Sequence, residues 1–301
     1  MQPEAFYLPM ANGSRGQRFS LFHPAVGAPA RAAVLYIHPF AEEMNKSRRM
    51  ASLQARAFAL SGCAVMQIDL LGCGDSSGDF GDATWADWVL DVVQASQWLQ
   101  QRVPAPLWLW GLRAGCLLAA QAADAIGAPC NHLYWQAPSS GKTLLHQFLR
   151  LKAASEMLGG KSKGVIDNLR QQLAAGRAVE IAGYRLSAGL ANGLEAATLT
   201  PPARAGRVEW IEVSAHMALA SATPASATPA AAVQPSVALS AATPSAAALR
   251  SIGAWRQAGL AVRSTVVNGP AFWHTVEIET APELIEASLA ALTTPAEVVA
   301  A

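Results

Sequence analysis

Between Glu212 and Glu277 the chain carries no aspartate or glutamate at all. Chemistry that needs a carboxylate from that stretch has none to draw on. Cysteine is scarce as well. Cys63, Cys73, Cys116 and Cys130 fit neither a Cys-x-x-Cys motif nor a metal-ligand spacing, which argues against a disulfide framework or a structural metal. Charge of one sign is missing: 22 basic against 21 acidic residues leave a net charge of +1, so neither nucleic acid nor an anionic membrane surface is an expected partner. No apolar run is long enough to span a bilayer. Residues 1–10 lack the basic and then apolar pattern of a signal peptide. A cytoplasmic protein with free thiols is the expectation, and no cofactor is called for.

What is present alternates. Residues 18–23 alternate weakly and suit an outer strand. Residues 32–37, Ala-Ala-Val-Leu-Tyr-Ile, form a continuous apolar run, as expected of a strand covered on both faces. Similar runs recur at 64–69, 107–110, 132–138, 207–213 and 261–267. Helical patterns fall between and after them, at 49–60, after Thr84, after Cys116, at 143–158 and 165–175, and at 249–258 and 282–292. Thr84 with Asp87 makes a capping box. Strands alternating with helices predict a mainly parallel, doubly wound sheet, with ligands at the carboxyl ends of its strands. Loops at residues 39–45 and 72–79 and the turn at 111–115 converge at that end.

The turn is the most informative stretch. A buried strand runs into Gly111-Leu112-Arg113-Ala114-Gly115, and a Leu/Ala-rich helix follows. Strand, Gly-x-x-x-Gly turn and helix have the shape of a nucleophile elbow. The central residue of an elbow should be Ser, Cys or Asp, and here it is Arg113. A guanidinium is always protonated and offers no lone pair for attack. Cys116 and Ser76 could replace it only in an unusual geometry. The acid is equally hard to find, because Glu212 lies within a strand pattern. His274 is the histidine in the expected C-terminal loop, and Arg113 and His274 are the candidate catalytic residues. His216 and His38 stand behind them. Backbone N–H groups of Phe40 or Ala41, and of Ala114, are the candidate oxyanion donors.

Arg113 also poses an electrostatic problem. A cation at a helix N-terminus is unfavourable unless an anion joins it. One resolution is an internal ion pair with Glu42 or Glu43. The other is a bound carboxylate or phosphate, held by Arg113 and the helix end together. Lys46, Arg48 and Arg49 could extend the positive field. Asp69 and Asp75 read as turn-fixing residues.

The organisation follows. Residues 1–138 are the first part of the core, with the elbow at 111–115. Residues 139–206 break the alternation and read as a helical lid, with a flexible basic loop at 159–164. Residues 207–217 return to the core. Residues 218–248 are Ala/Ser/Thr/Pro-rich, contain Ala-Thr-Pro three times and hold no charged or aromatic residue. Such a segment cannot repay its ordering entropy and reads as a disordered insertion. Residues 249–301 complete the core.

The elbow and the Asp69-x-x-Gly72-x-Gly74-x-Ser76 loop resemble the α/β-hydrolase superfamily. The run Pro39-Phe40-Ala41-Glu42-Glu43-Met44-Asn45-Lys46-Ser47-Arg48-Arg49-Met50, with Trp110-Gly111-Leu112-Arg113 and Pro270-Ala271-Phe272-Trp273, resembles the exosortase A system-associated hydrolases of the second type. That resemblance implies an α/β-hydrolase-like fold and a bacterial protein encoded near exosortase and exopolysaccharide genes. It implies a hydrolase acting on ester or acyl groups, although the Ser-His-acid triad is incomplete. The chemistry of the residues themselves favours an inactive protein that binds a small anionic ligand or a pathway partner through Arg113, with Phe40, Ala41, Glu42, Glu43 and Ala114 around it.

Overall fold

The computed structural model describes residues 2–11, 15–27, 29–158, 164–215 and 243–293. The chain runs β1 (Glu4–Pro9), β2 (Gln17–His23), β3 (Ala32–Ile37), α1 (Glu42–Leu60), β4 (Cys63–Ile68), α2 (Trp85–Arg102), β5 (Leu107–Leu112), α3 (Ala114–Ile126) and β6 (Cys130–Trp135). Then come α4 (Gly141–Leu158), α5 (Val165–Ala174), β7 (Val179–Ile181), β8 (Tyr184–Leu186) and α6 (Ala188–Ala196). β9 (Ala205–Ser214), α7 (Ala246–Gln257), β10 (Ala261–Asn268) and α8 (Pro282–Thr293) close the described chain. One sheet has the order β1-β2-β4-β3-β5-β6-β9-β10, and β7 and β8 form a separate hairpin. β1–β2 and β2–β4 are antiparallel, and the pairs from β4 to β10 are parallel.

The apolar runs become strands because both faces of the sheet are covered. Every residue of β3 and β5 is buried. Alternate side chains feed two cores, as the period of a strand requires. Ala33 and Leu35 join Leu109, Trp88, Val92 and Leu117 on one face. Val34 and Tyr36 join Trp110, Met50, Phe58 and Leu284 on the other. α2 starts on the expected capping box: Asp87 N–H donates to Thr84 Oγ1 at 3.2 Å, and Thr84 N–H donates to Asp87 Oδ2 at 2.9 Å.

Three expectations need correction, and some elements had none. Residues 42–45 are not loop but the first turn of α1, which therefore begins well before residue 49. No Ser, Thr or Asp marks that start; Ala41 opens the helix in a backbone conformation of φ 50°, ψ −125°, without a side-chain cap. β1, the β7–β8 hairpin and α6 carried no legible periodicity and were not anticipated. α7 begins at Ala246, not at residue 249, because Ser245 caps it and Glu212 holds Ser245. Residues 243–248 of the Ala/Thr/Pro-rich stretch thus belong to the described fold; the rest of it, His216, and residues 159–163 of the basic loop lie outside the described residues. No described helix is long and apolar enough to cross a membrane.

The core also buries an ionisable ring. His132 lies in β6, fully buried, with the Tyr134 hydroxyl 3.0 Å from its Nδ1. Burial pushes its pKa down to about 3. The ring must therefore stay neutral in the fold, while it takes up a proton near pH 6.5 once unfolded. Stability from this site is complete above about pH 6.5 and is lost as pH falls towards the folded value, at about 1.4 kcal/mol per pH unit. Denaturant titrations from pH 7 to 4 should show a slope smaller by about one proton in His132→Phe than in the parent. Equal slopes would mean that the ring is protonated in the fold.

Candidate active site

β5 ends at Leu112, Arg113 turns the chain, and α3 begins at Ala114. Arg113 has φ 55° and ψ −116°, a strained conformation for a side chain with a Cβ. The backbone around it over-determines the turn. Arg113 N–H donates to Trp135 O at 3.0 Å, and Cys116 N–H donates to Arg113 O at 2.9 Å. A Cβ on Gly111 would lie 2.6 Å from the Cys116 nitrogen, and one on Gly115 would lie 2.1 Å from Ile37 O. Only glycine permits this approach of helix to strands. The geometry of an elbow is present with an arginine at its tip.

Ala41 makes a second turn of the same kind at the end of the adjacent strand β3. It launches α1 with Glu42 and Glu43 in the first turn, where the positive end of the helix dipole favours acids. The two helix starts face each other, and Glu43 spans the gap. Arg113 Nη2 donates to Glu43 Oε1 at 3.0 Å, and Arg113 Nε lies 3.3 and 3.4 Å from the two carboxylate oxygens. The His274 Nε2 is 2.7 Å from the same Oε1. Nη2 also donates to Gln147 Oε1, on α4, at 2.8 Å. Lys46 Nζ donates to the backbone carbonyl of His274 at 3.3 Å. The Arg113 and Glu43 side chains are only 11% and 9% exposed, whereas that of His274 is half exposed. The guanidinium carbon stands 6.0 Å from the Trp273 ring centre.

Of the two glutamates left open by the sequence, the structure selects Glu43. Successive residues of a helix point about 100° apart, so only one can face the elbow. Glu42 has another situation: its Oε2 is buried with no hydrogen-bond partner, and burial pushes its carboxyl above the usual range. Gln147 was not anticipated; a neutral amide on a helix facing the core gives no charge signal. Phe40 sits beneath α4, its ring centre 5.1 Å from that of Phe148. Ala114 is the first residue of α3, beside Arg113. Phe40, Glu42, Glu43, Lys46, Gln147 and His274 line a cavity of about 350 Å³, with Leu144, Phe148, Arg150 and Leu151 from α4 as its other wall.

Other candidate nucleophiles and acids have structural duties. Cys116 is fully buried; its thiol donates to Gly111 O at 3.2 Å, and burial pushes its pKa far up. Ser76 Oγ donates to Asp69 O at 2.5 Å and accepts Phe19 N–H at 2.9 Å, locking the glycine-rich loop. Asp69 pairs with Arg48 at 3.0 Å and accepts Asp75 N–H at 3.2 Å. Glu212 accepts Ser245 N–H and Oγ–H at 2.6 and 2.8 Å and so is committed to capping α7. His38 accepts Leu70 N–H through Nε2, which leaves Nδ1–H to donate to Pro39 O. That assigns a neutral ring, consistent with burial pushing its pKa down. Among the described residues no cluster of three potential ligands could hold a metal.

No protein-family model matches this chain. No curated protein matches it either. Solved structures do. Est1E from Butyrivibrio proteoclasticus with bound ferulic acid matches over 95% of this chain and 96% of its own, at 12% identity and a TM-score of 0.62. A highly thermostable carboxyl esterase from Bacillus coagulans in complex with glycerol matches over 97% and 98%, at 12% identity and a TM-score of 0.56. An α/β serine hydrolase homologue from Coxiella burnetii matches over 98% and 99%, at 13% identity and a TM-score of 0.52. This is an α/β-hydrolase fold. At such identities the likeness shows the fold alone, and the site has to be argued from its own residues.

The ion pair makes a prediction about stability. Breaking a buried pair costs about 3–5 kcal/mol, because the surviving charge stays buried. With a tenth of each side chain exposed, Arg113→Ser should cost about 2–4 kcal/mol in denaturant unfolding. A double-mutant cycle of Arg113→Gln and Glu43→Gln should give a coupling of about 1–3 kcal/mol. A coupling below about 0.5 kcal/mol would show that the two groups do not depend on each other.

Proposed function

We propose that this chain uses an α/β-hydrolase fold to bind a small anionic acyl ligand at Arg113, and that it does not cleave esters by a serine triad. One observation carries the reading: the elbow residue is a cation whose counter-ion, Glu43, comes from the chain itself. A ligand carboxylate or phosphate can replace Glu43, since it offers the same pair of oxygens to the guanidinium fork. The helix start behind Arg113 favours that exchange. Phe40, Leu144, Phe148 and Leu151 offer an apolar wall to an acyl chain, and Lys46 and Arg150 add positive charge. The volume lies at the small end of the range for ligand pockets. On this reading α4 to α6 serve as the lid, because Gln147 and Phe148 meet the elbow and Phe40 from above.

A second reading keeps a reaction, and the His274–Glu43 contact favours it. A histidine bonded to a carboxylate is one half of a triad. Yet Glu43 binds Nε2, the nitrogen that in a serine triad faces the nucleophile, while the acid belongs on Nδ1. Glu43 therefore fills the nucleophile's side of the imidazole. Binding without cleavage is the better account. The resemblance of residues 39–50 and the elbow to the exosortase A system-associated hydrolases extends the proposal: the ligand, and any protein partner, would belong to an exopolysaccharide pathway in the bacterial cytoplasm.

Two measurements test this. Turnover of p-nitrophenyl butyrate should stay below about one per second in the parent and in Arg113→Ser, since typical enzymes exceed that rate and no acid–histidine couple awaits a new serine. Octanoate should bind in calorimetry, and Arg113→Gln should weaken it at least about tenfold. Fast hydrolysis abolished by a change at His274 would establish the second reading. Absence of octanoate binding would remove the first.

A further inference from the structure

Displacing Glu43 from Arg113 takes a counter-charge away from both. The two side chains are 11% and 9% exposed, so each neutralises the other in a largely dry place. An anion that takes Arg113 satisfies the guanidinium but leaves Glu43 with only the half-exposed ring of His274. Removing one partner of a buried pair is costly, because the surviving charge stays buried. Glu42 deepens the deficit. It precedes Glu43 in α1 and borders the same cavity of about 350 Å³. Its Oε2 is buried with no hydrogen-bond partner, and no cation lies within salt-bridge reach of it among the described residues. Lys46, one turn further along α1, instead donates to the backbone carbonyl of His274. A buried acceptor without a partner calls for a donor, and a carboxylate is served best by a charged one.

The ligand that meets both demands carries an anion and a cation. Resting on the anion-binding reading above, we propose that the ligand is an amino acid with an apolar chain, its carboxylate on Arg113 and its ammonium at Glu42 and Glu43. The exchange then breaks one ion pair and makes two, and no charge is left buried alone. An ammonium has three N–H donors, enough for both glutamates. The apolar chain lies along Phe40, Leu144 and Phe148. Burial is the largest influence on the Glu42 carboxyl and raises its pKa; an ammonium beside it acts the other way and holds it as a carboxylate. Glu42 is then the specificity-determining residue of the pocket, because Glu43 already has the imidazole and Glu42 has no such partner. A fatty acid or an alkyl amine supplies only half of the exchange and is selected against.

Calorimetry on the full chain at neutral pH, with octanoate, 2-aminooctanoate, 3-aminooctanoate, 3-hydroxyoctanoate and octylamine as probes, tests the assignment. At least one amino acid should bind about tenfold or more tightly than octanoate and than the hydroxy acid. Octylamine, which cannot pair with Arg113, should bind more weakly than that amino acid by a similar factor. Glu42→Gln removes the charge at nearly constant shape and should bring the ratio of amino acid to octanoate to within about threefold of one. An amino acid no tighter than octanoate in the parent, with octanoate still bound, overturns the zwitterion and leaves the anion-binding reading standing. A hydroxy acid as tight as the amino acid overturns the need for a cation. An advantage that survives intact in Glu42→Gln overturns the role of Glu42. If none of the probes binds, the anion-binding reading falls and this assignment falls with it.

Discussion

A guanidinium at the start of a helix is the constraint from which the site follows. The N-terminus of α3 presents partial positive charge, and Arg113 adds a full one at its cap. The penalty is relieved by an anion held at hydrogen-bonding distance. Glu43 supplies it from the first turn of α1, where its negative charge is itself favoured. One ion pair therefore compensates two helix ends at once. It also ties together parts of the chain far apart in sequence, because His274 joins Glu43 and Gln147 joins Arg113. The result is a cross-link between the core, the C-terminal loop and α4.

The backbone beneath the pair is strained in two places. Residues 41 and 113 both have φ near 50° and ψ near −120°. Each such conformation costs on the order of 1–3 kcal/mol and survives only where its surroundings impose it. Gly115 lets α3 press against the carbonyl of Ile37, at the end of β3, so the two turns are packed as one unit. Strain of this kind is the usual means of exposing an elbow side chain at the mouth of a sheet. Here the side chain at the tip is a charge that cannot attack a carbonyl.

What the sequence made legible depended on which force shaped each element. The run 32–37 coincides with β3, because a strand buried on both faces has to be continuously apolar. The capping box at Thr84 was readable because it acts through side chains three residues apart. The start of α1 was not, because Ala41 opens it through backbone conformation alone. The choice between Glu42 and Glu43 was hidden for the same reason: helical phase from Ala41 decides which carboxylate meets Arg113. α6 contains Gly189 and Gly193 and has weak helix propensity; Gly193 is there because a Cβ would fall 2.2 Å from that of Trp85. The need of Arg113 for an anion was readable from charge and position, whereas Gln147 carried no such mark.

Orientation separates binding from catalysis more firmly than the identity of the elbow residue does. A serine replaced by arginine removes a nucleophile, but another group could in principle take its place beside the histidine. At this site that place is already taken. Glu43 sits on Nε2 of His274, the position from which a nucleophile would be deprotonated, and no carboxylate pairs with Nδ1 among the described residues. A base must be oriented by an acid on one side and must receive a proton from the other. Among the described residues His274 has its one charged partner on the receiving side, and that partner is locked to Arg113. The imidazole thus acts as a second donor that steadies Glu43, and any anion that displaces Glu43 from Arg113 meets the guanidinium and the imidazole already arranged around the place it would occupy.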